Sequence, residues 1–151
     1  MTTHKDTIFI SVPREGYMYE NVKMRLDRLE KWCEGENLSP MRPFLGVAYA
    51  LDDRIPVDNV LANRNLHRLR QCTHLVVGEG WDKSLECMTE VTAFLSWRDY
   101  RPERGTLFIE EDGKVNSCKA PPGTIEEFWE LWARGGKDDY IEQVKDHKET
   151  L

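Results

Sequence analysis

The stretch from His74 to Trp97 constrains this chain most. Leu75-Val76-Val77 is a short, continuously apolar run, broken by Gly78-Glu79-Gly80 and a polar loop that reaches Ser84. After Glu90 come Val91-Thr92-Ala93-Phe94-Leu95-Ser96-Trp97, nearly all apolar. Such a run, then a glycine loop, reads as a strand buried on both faces that feeds a helix buried on most of its own. A strand buried on both faces needs helices on both sides. Together with the β-α-(β)-α-β-α-β order of the whole chain, this unit predicts an open, mostly parallel α/β sheet, Rossmann-like or flavodoxin-like, with helices on both faces and a C-terminal β-hairpin and helix. Glu90 falls in the first turns of the helix, opposite the strand's C-terminal end, where open α/β sheets place their ligands. A carboxylate there is either a solvated residue favoured by the helix dipole, or a buried group that needs a partner or a task.

The rest of the chain fits the same plan. Thr7-Ile8-Phe9-Ile10-Ser11-Val12, closed by Pro13, predicts a buried first strand. Val22, Leu26, Leu29 and Trp32-Cys33 recur at helical spacing, so a helix is expected over about residues 20–35, with Gly35 as its stop. Leu38 to Leu45 carries Pro40 and Pro43 and is at most a short or edge strand before an irregular loop. Val57, Val60, Leu61, Leu66 and Leu69 mark a second helix, about 57–71. Asn65 lies on its apolar stripe. It is either a buried amide bonded to nearby backbone or a side chain turned into a ligand pocket. Thr106 to Glu110 predicts another strand, and Asp112-Gly113 a hairpin turn into Lys114 to Ser117. Thr124, with Glu127 three residues on, predicts a capped helix bearing Phe128, Trp129 and Trp132. Residues 1–136 read as a single domain and 137–151 as a charged tail.

Bulk properties narrow the function. A net charge of −6 over 151 residues opposes a duplex nucleic-acid partner, although a local basic pocket for one phosphate is compatible with it. No apolar run reaches membrane-spanning length, and Met1 to Asp6 lacks a signal-peptide core, so a cytoplasmic protein with no membrane partner is expected. Cys33, Cys72, Cys87 and Cys118 form no C-x-x-C pair and read as reduced thiols. His4, His67, His74 and His147 show no metal spacing. Neither a metal nor a cofactor is expected.

Two loops after strands carry the chemistry, Ser11 to Gly16 and Gly78 to Ser84. Each combines glycine, a hydroxyl and a basic residue, Arg14 or Lys83. Glycine lets backbone N–H groups approach an anion closely. Gly78-x-Gly80 is only part of a dinucleotide fingerprint, and no phosphate-binding G-x-x-x-x-G-K-[ST] run exists. Trp81 is either a platform for stacking a base or a lid over the edge of the core.

With Ile8-Phe9-Ile10-Ser11-Val12-Pro13 at the start, and Gly80-Trp81-Asp82-Lys83-Ser84 followed by Glu90, the chain resembles the nucleoside 2-deoxyribosyltransferase superfamily. The nearest likeness is to small phage and bacterial members with a first strand ending near Ser-Gly-Pro, a helix ending near Leu-x-x-Cys-Asp, and then Gly-Trp-x-x-Ser-x-Gly-Ala-x-x-Glu. It covers roughly residues 7–97. The resemblance implies that Glu90 is the catalytic nucleophile at C1′ of the sugar. Ser84 matches the serine with which the nucleoside 5′-monophosphate N-glycosidases hold their phosphate. Arg14 falls near a basic residue of those enzymes' first loop, and Asn65 on the family's helical aspartate. The chain departs from the pattern at Asn65, at Thr73 in place of an aspartate, and at Val12 and Glu86 in place of glycines. Glu86 stands where the phosphate would sit.

The expected function is therefore cleavage or transfer at the N-glycosidic bond of a nucleoside or nucleoside 5′-monophosphate. Glu90 is the catalytic residue. Ser11, Arg14, Gly16, Asn65, Gly80, Trp81 and Ser84 bind the substrate. A homodimer is also expected, the Phe128-Trp129-Trp132 face being one candidate surface. Two competing readings stay open. One is a catalytically silent nucleotide-binding or sequestering protein on the same fold. The other is a phage accessory protein that docks a host protein through the hairpin and the Trp-rich helix.

Overall fold

The computed structural model describes residues 6–45, 54–55, 58–98 and 105–118. Among them a five-stranded sheet runs in the order β2-β1-β3-β4-β5. Its strands are β1 (Thr7–Ser11), β2 (Ser39–Met41), β3 (His74–Val77), β4 (Leu107–Glu111) and β5 (Lys114–Cys118). The first four are mutually parallel and β5 is antiparallel to β4. This is an open α/β sheet of flavodoxin-like order, whose switch point lies between β1 and β3. The hairpin β4–β5 closes through Asp112 and Gly113, both at positive φ, as the Asp-Gly pair predicts.

Period-two alternation builds the two layers. Ile8, Ile10 and Val76 point to one face and pack with Val22, Leu26, Leu29 and Cys33 of α1 (Tyr19–Gly35). Phe9, Leu75, Val77, Leu107 and Ile109 point to the other. There they meet Leu69 of α2 (Asn59–Arg70) and Cys87, Val91, Phe94 and Leu95 of α3 (Leu85–Arg98). Each fully buried aliphatic side chain contributes about 1.5–3 kcal/mol by leaving water. Pro40 sits in β2, at the sheet edge, where its missing N–H breaks no ladder.

Local chemistry fixes the helix ends. Asp58 caps α2 by accepting from the amides of Val60 and Leu61. Ser84 caps α3, its Oγ accepting from the Cys87 amide at 3.3 Å. α1 ends at Gly35, as expected, but the left-handed residue that closes it comes two positions later. Asn37 takes the left-handed turn at φ 60°, with Leu38 N–H on the Cys33 carbonyl and Asn37 N–H on that of Glu34. That is a Schellman closure, and asparagine tolerates the left-handed position well enough that glycine is not needed. None of the described helices is long and apolar enough to cross a membrane. The expected Thr124 helix, its aromatic face and the 137–151 tail lie outside the described residues.

Candidate active site

At the β1/β3 switch point the chain leaves β1 toward α1 on one face and leaves β3 toward α3 on the other. Their loops face each other across the sheet edge. Ser11, the last residue of β1, shares the face of Phe9 and therefore points toward α3. Its Oγ donates to Glu90 Oε1 at 2.6 Å. Arg14, three residues on, donates from Nη1 to Glu90 Oε1 at 3.1 Å and from Nη2 to Oε2 at 2.8 Å. Ser11, Arg14 and Glu90 are all buried, Glu90 with only 2% of its surface exposed. Burial by itself lowers the Arg14 pKa. The charge and hydrogen bonds of Glu90 outweigh it, so the net shift is upward and the guanidinium stays charged. The result is a bidentate, charge-assisted pair in a desolvated setting.

Glu86 lies one helical turn before Glu90 and faces the same loop. Its Oε1 accepts from the backbone amide of Glu15 at 2.8 Å and also from that of Arg14. A carboxylate of the chain itself thus occupies two converging N–H groups of the loop after β1. Glu15 feels the consequence. Its partial burial, then the negative charge of Glu86 and a hydrogen bond to it, raise the Glu15 carboxyl pKa above the ordinary value.

A cleft of about 410 Å³ opens between α2 and α3. Glu15, Glu86 and Glu90 supply the acids of its lining. Asn59, Asn63 and Thr89 add neutral polar groups, and Ala62, Leu66 and Leu85 the apolar wall. That volume suits a small molecule, and among the described residues the lining contains no cationic side chain. Cys87, buried beside Ser11 and Ser84, is a poor nucleophile. Burial, with Glu90 adding to it, pushes its thiol up to about 12 against the smaller opposing pull of Arg14.

The structure brings Ser11, Arg14 and Glu90 together and places the remaining expected residues elsewhere in the architecture. Ser84 is engaged as a helix cap and Arg14 by Glu90. Trp81, expected at a ligand's base, is fully buried in the α2–α3 core, because the turn that follows Gly80 (φ 85°) folds it inward. Gly16 sits in the same turn as Glu15, its amide on the Ile55 carbonyl. Asn65 accepts from the Phe44 amide at 2.6 Å and donates to the Phe44 carbonyl at 2.9 Å. Of its two readings, the amide bonded to nearby backbone describes what is seen, although Asn65 also borders a small cavity beside Arg14 and Glu86.

Sequence reasoning missed Glu15 as a cleft residue and missed Glu110. The buried Glu110 carboxylate accepts from the Glu79 amide at 3.0 Å and from Arg28 on α1, tying the loop after β3 to β4. Its place at the end of the predicted strand, on the alternating inward positions, was the available signal. No family model matches this chain, and no curated protein matches it.

Proposed function

We propose that this protein cleaves or transfers the N-glycosidic bond of a nucleoside or nucleoside 5′-monophosphate, with Glu90 as nucleophile. One observation carries the reading: a carboxylate that lines a ligand-sized cleft is held in a single orientation by Ser11 and Arg14 at the switch point of the sheet. Arg14 and Ser11 hold the carboxylate by hydrogen bonds in the orientation a nucleophile needs. Oε2 carries the single bond to Arg14 Nη2 and so retains a lone pair for attack. Attack of Oε2 on C1′ forms a glycosyl ester as the bond to the base breaks, with the electron pair leaving on the base nitrogen. Glu15 lines the same cleft and is the acid placed to donate the proton that makes the base a neutral leaving group. Water or a second base then attacks C1′, gives up its proton to the Glu15 carboxylate, and the ester C–O bond breaks with its electron pair returning to Glu90. Such an activity belongs in the cytoplasm.

The test is release of free base from a panel of nucleosides and their 5′-monophosphates, read by chromatography. It is paired with mass-spectrometric capture of a glycosyl adduct on the peptide that contains Glu90. Absence of base release from every member of the panel would remove the enzymatic reading.

A second reading, a silent binder of nucleosides or nucleotides, is favoured by the same ion pair. Arg14 neutralises Glu90, and both carboxylate oxygens are engaged in a nearly inaccessible position. Thermal stabilisation by a member of the panel, with no base released, is its expected signature.

A further inference from the structure

The loop after β1 has the makings of an anion site, and the chain fills it itself. Two consecutive N–H groups, of Arg14 and Glu15, converge on one oxygen of Glu86. Consecutive backbone amides of this kind form concavities that hold phosphate oxygens in many folds. The other Glu86 oxygen lies 3.9 Å from Arg14 Nε, and the Glu86 side chain is 8% exposed. The nearby guanidinium is closed off as well, because its Nη1 and Nη2 are both on Glu90. An anion entering the α2–α3 cleft meets Glu15, Glu86 and Glu90 and, among the described residues, no cationic side chain in the lining.

We propose that Glu86 acts as a built-in anion that occupies the loop amides and restricts the cleft to uncharged ligands, so that nucleosides are accepted and nucleoside 5′-monophosphates are refused. The ligand class rests on the nucleoside reading above, whereas occupation of the amides by Glu86 does not. Like charge in a partly desolvated site repels a phosphate, and the amides it would need are already satisfied. Truncating Glu86 removes the charge and exposes both N–H groups. A glutamine at the same position keeps an oxygen on the amides and leaves the loop closed.

The experiment compares the wild type, Glu86→Ala, Glu86→Ser and Glu86→Gln. Inorganic phosphate is the probe, followed by ³¹P line broadening and by thermal shift, with circular dichroism to verify folding. Phosphate should bind the Ala or Ser variant roughly 10- to 100-fold more tightly than the wild type, the scale of new hydrogen bonds to a charged group. Glu86→Gln should stay close to the wild type. Equal phosphate binding by the wild type and a folded Ala or Ser variant, or by neither, overturns the proposal. Should neither truncation fold, the wild type still decides: monophosphates stabilising it as strongly as the matching nucleosides would overturn it. A wild type that responds to no nucleoside defeats the functional reading instead, and the phosphate comparison still reads Glu86 alone.

Discussion

Arg14 and Glu90, 76 residues apart in the chain, meet as a buried bidentate pair across the switch point of the sheet. Everything proposed for the cleft depends on this contact. It fixes the carboxylate, consumes the local cation, and makes the two residues interdependent for stability.

Replacing Glu90 should therefore do two things. Base release should fall by several orders of magnitude, as when a covalent nucleophile is lost. The fold should suffer too, because Glu90→Ala strips a buried guanidinium of its bidentate partner and leaves it only the longer 3.9 Å contact with Glu86, at a cost of about 3–5 kcal/mol. From sequence alone Glu90→Ala would be expected to leave the fold intact. Glu90→Gln retains two of the hydrogen bonds and is the cleaner kinetic variant. Urea denaturation of both, beside the wild type, checks the ordering.

Glu15 gives a pH signature. Its folded pKa is raised above the ordinary 4.5 by partial burial and by Glu86. The folded state thus holds this proton more tightly than the unfolded state does. The associated stability is fully present below about pH 4.5 and is lost as pH rises through the raised folded value. At neutral pH Glu15 is a liability. Glu15→Gln should melt higher than the wild type at pH 7, and the difference should vanish at pH 4 and below. If Glu15 is also the proton donor, the same variant should lose base release and its alkaline limb. A gain in melting temperature that is the same at both pH values would reject the shift.

Trp81 tests the inward placement of the loop. Trp81→Ala should cost about 3–5 kcal/mol, the usual penalty for emptying a buried aromatic site. Trp81→Phe should recover most of it without any selective change in ligand affinity. A stable Trp81→Ala that had lost only ligand binding would restore the tryptophan to the ligand.

What was legible in the sequence is what local pattern encodes. The alternation Ile8-Phe9-Ile10-Ser11 fixes a strand, and with it the face on which Ser11 lies. The spacing of Val22, Leu26, Leu29 and Cys33 fixes α1. Pro40 announced an edge strand, and Asp112-Gly113 a hairpin. The place of Glu90 in the first turns of α3, opposite the C-terminal end of β3, followed from the strand–loop–helix unit. What was not legible is which groups consume one another. Arg14 and Ser84 both offer themselves to an anion on paper. Nothing local states that a glutamate 76 residues away takes the arginine, or that the serine's oxygen is needed by its own helix. Trp81 is ambiguous for the same reason: a single left-handed residue, Gly80, decides whether its ring faces solvent or core.

Asn65 shows how that ambiguity is settled by experiment. Its amide is used twice, once as acceptor and once as donor, on the backbone of Phe44. Arg68, one turn on, bonds the Arg42 carbonyl at 2.9 Å and lies over the Phe44 ring, so α2 clamps the segment leaving β2. In Asn65→Asp the oxygen can still accept from the Phe44 amide. The group that donated becomes a second oxygen facing the Phe44 carbonyl, in a site that is 99% buried. The loss of one buried hydrogen bond, with an unsatisfied carbonyl left behind, costs about 1–3 kcal/mol, and the new charge adds to it. For a chain of this size the melting temperature should drop by several degrees. Asn65→Leu should fall as well, because it abandons both backbone groups of Phe44, although it adds no buried charge. Ligand affinity measured well below the melting transition should stay unchanged in Asn65→Asp. If instead the variant melts like the wild type and changes substrate preference or gains base release, the clamp is not what holds Asn65 in place, and the residue belongs to the ligand.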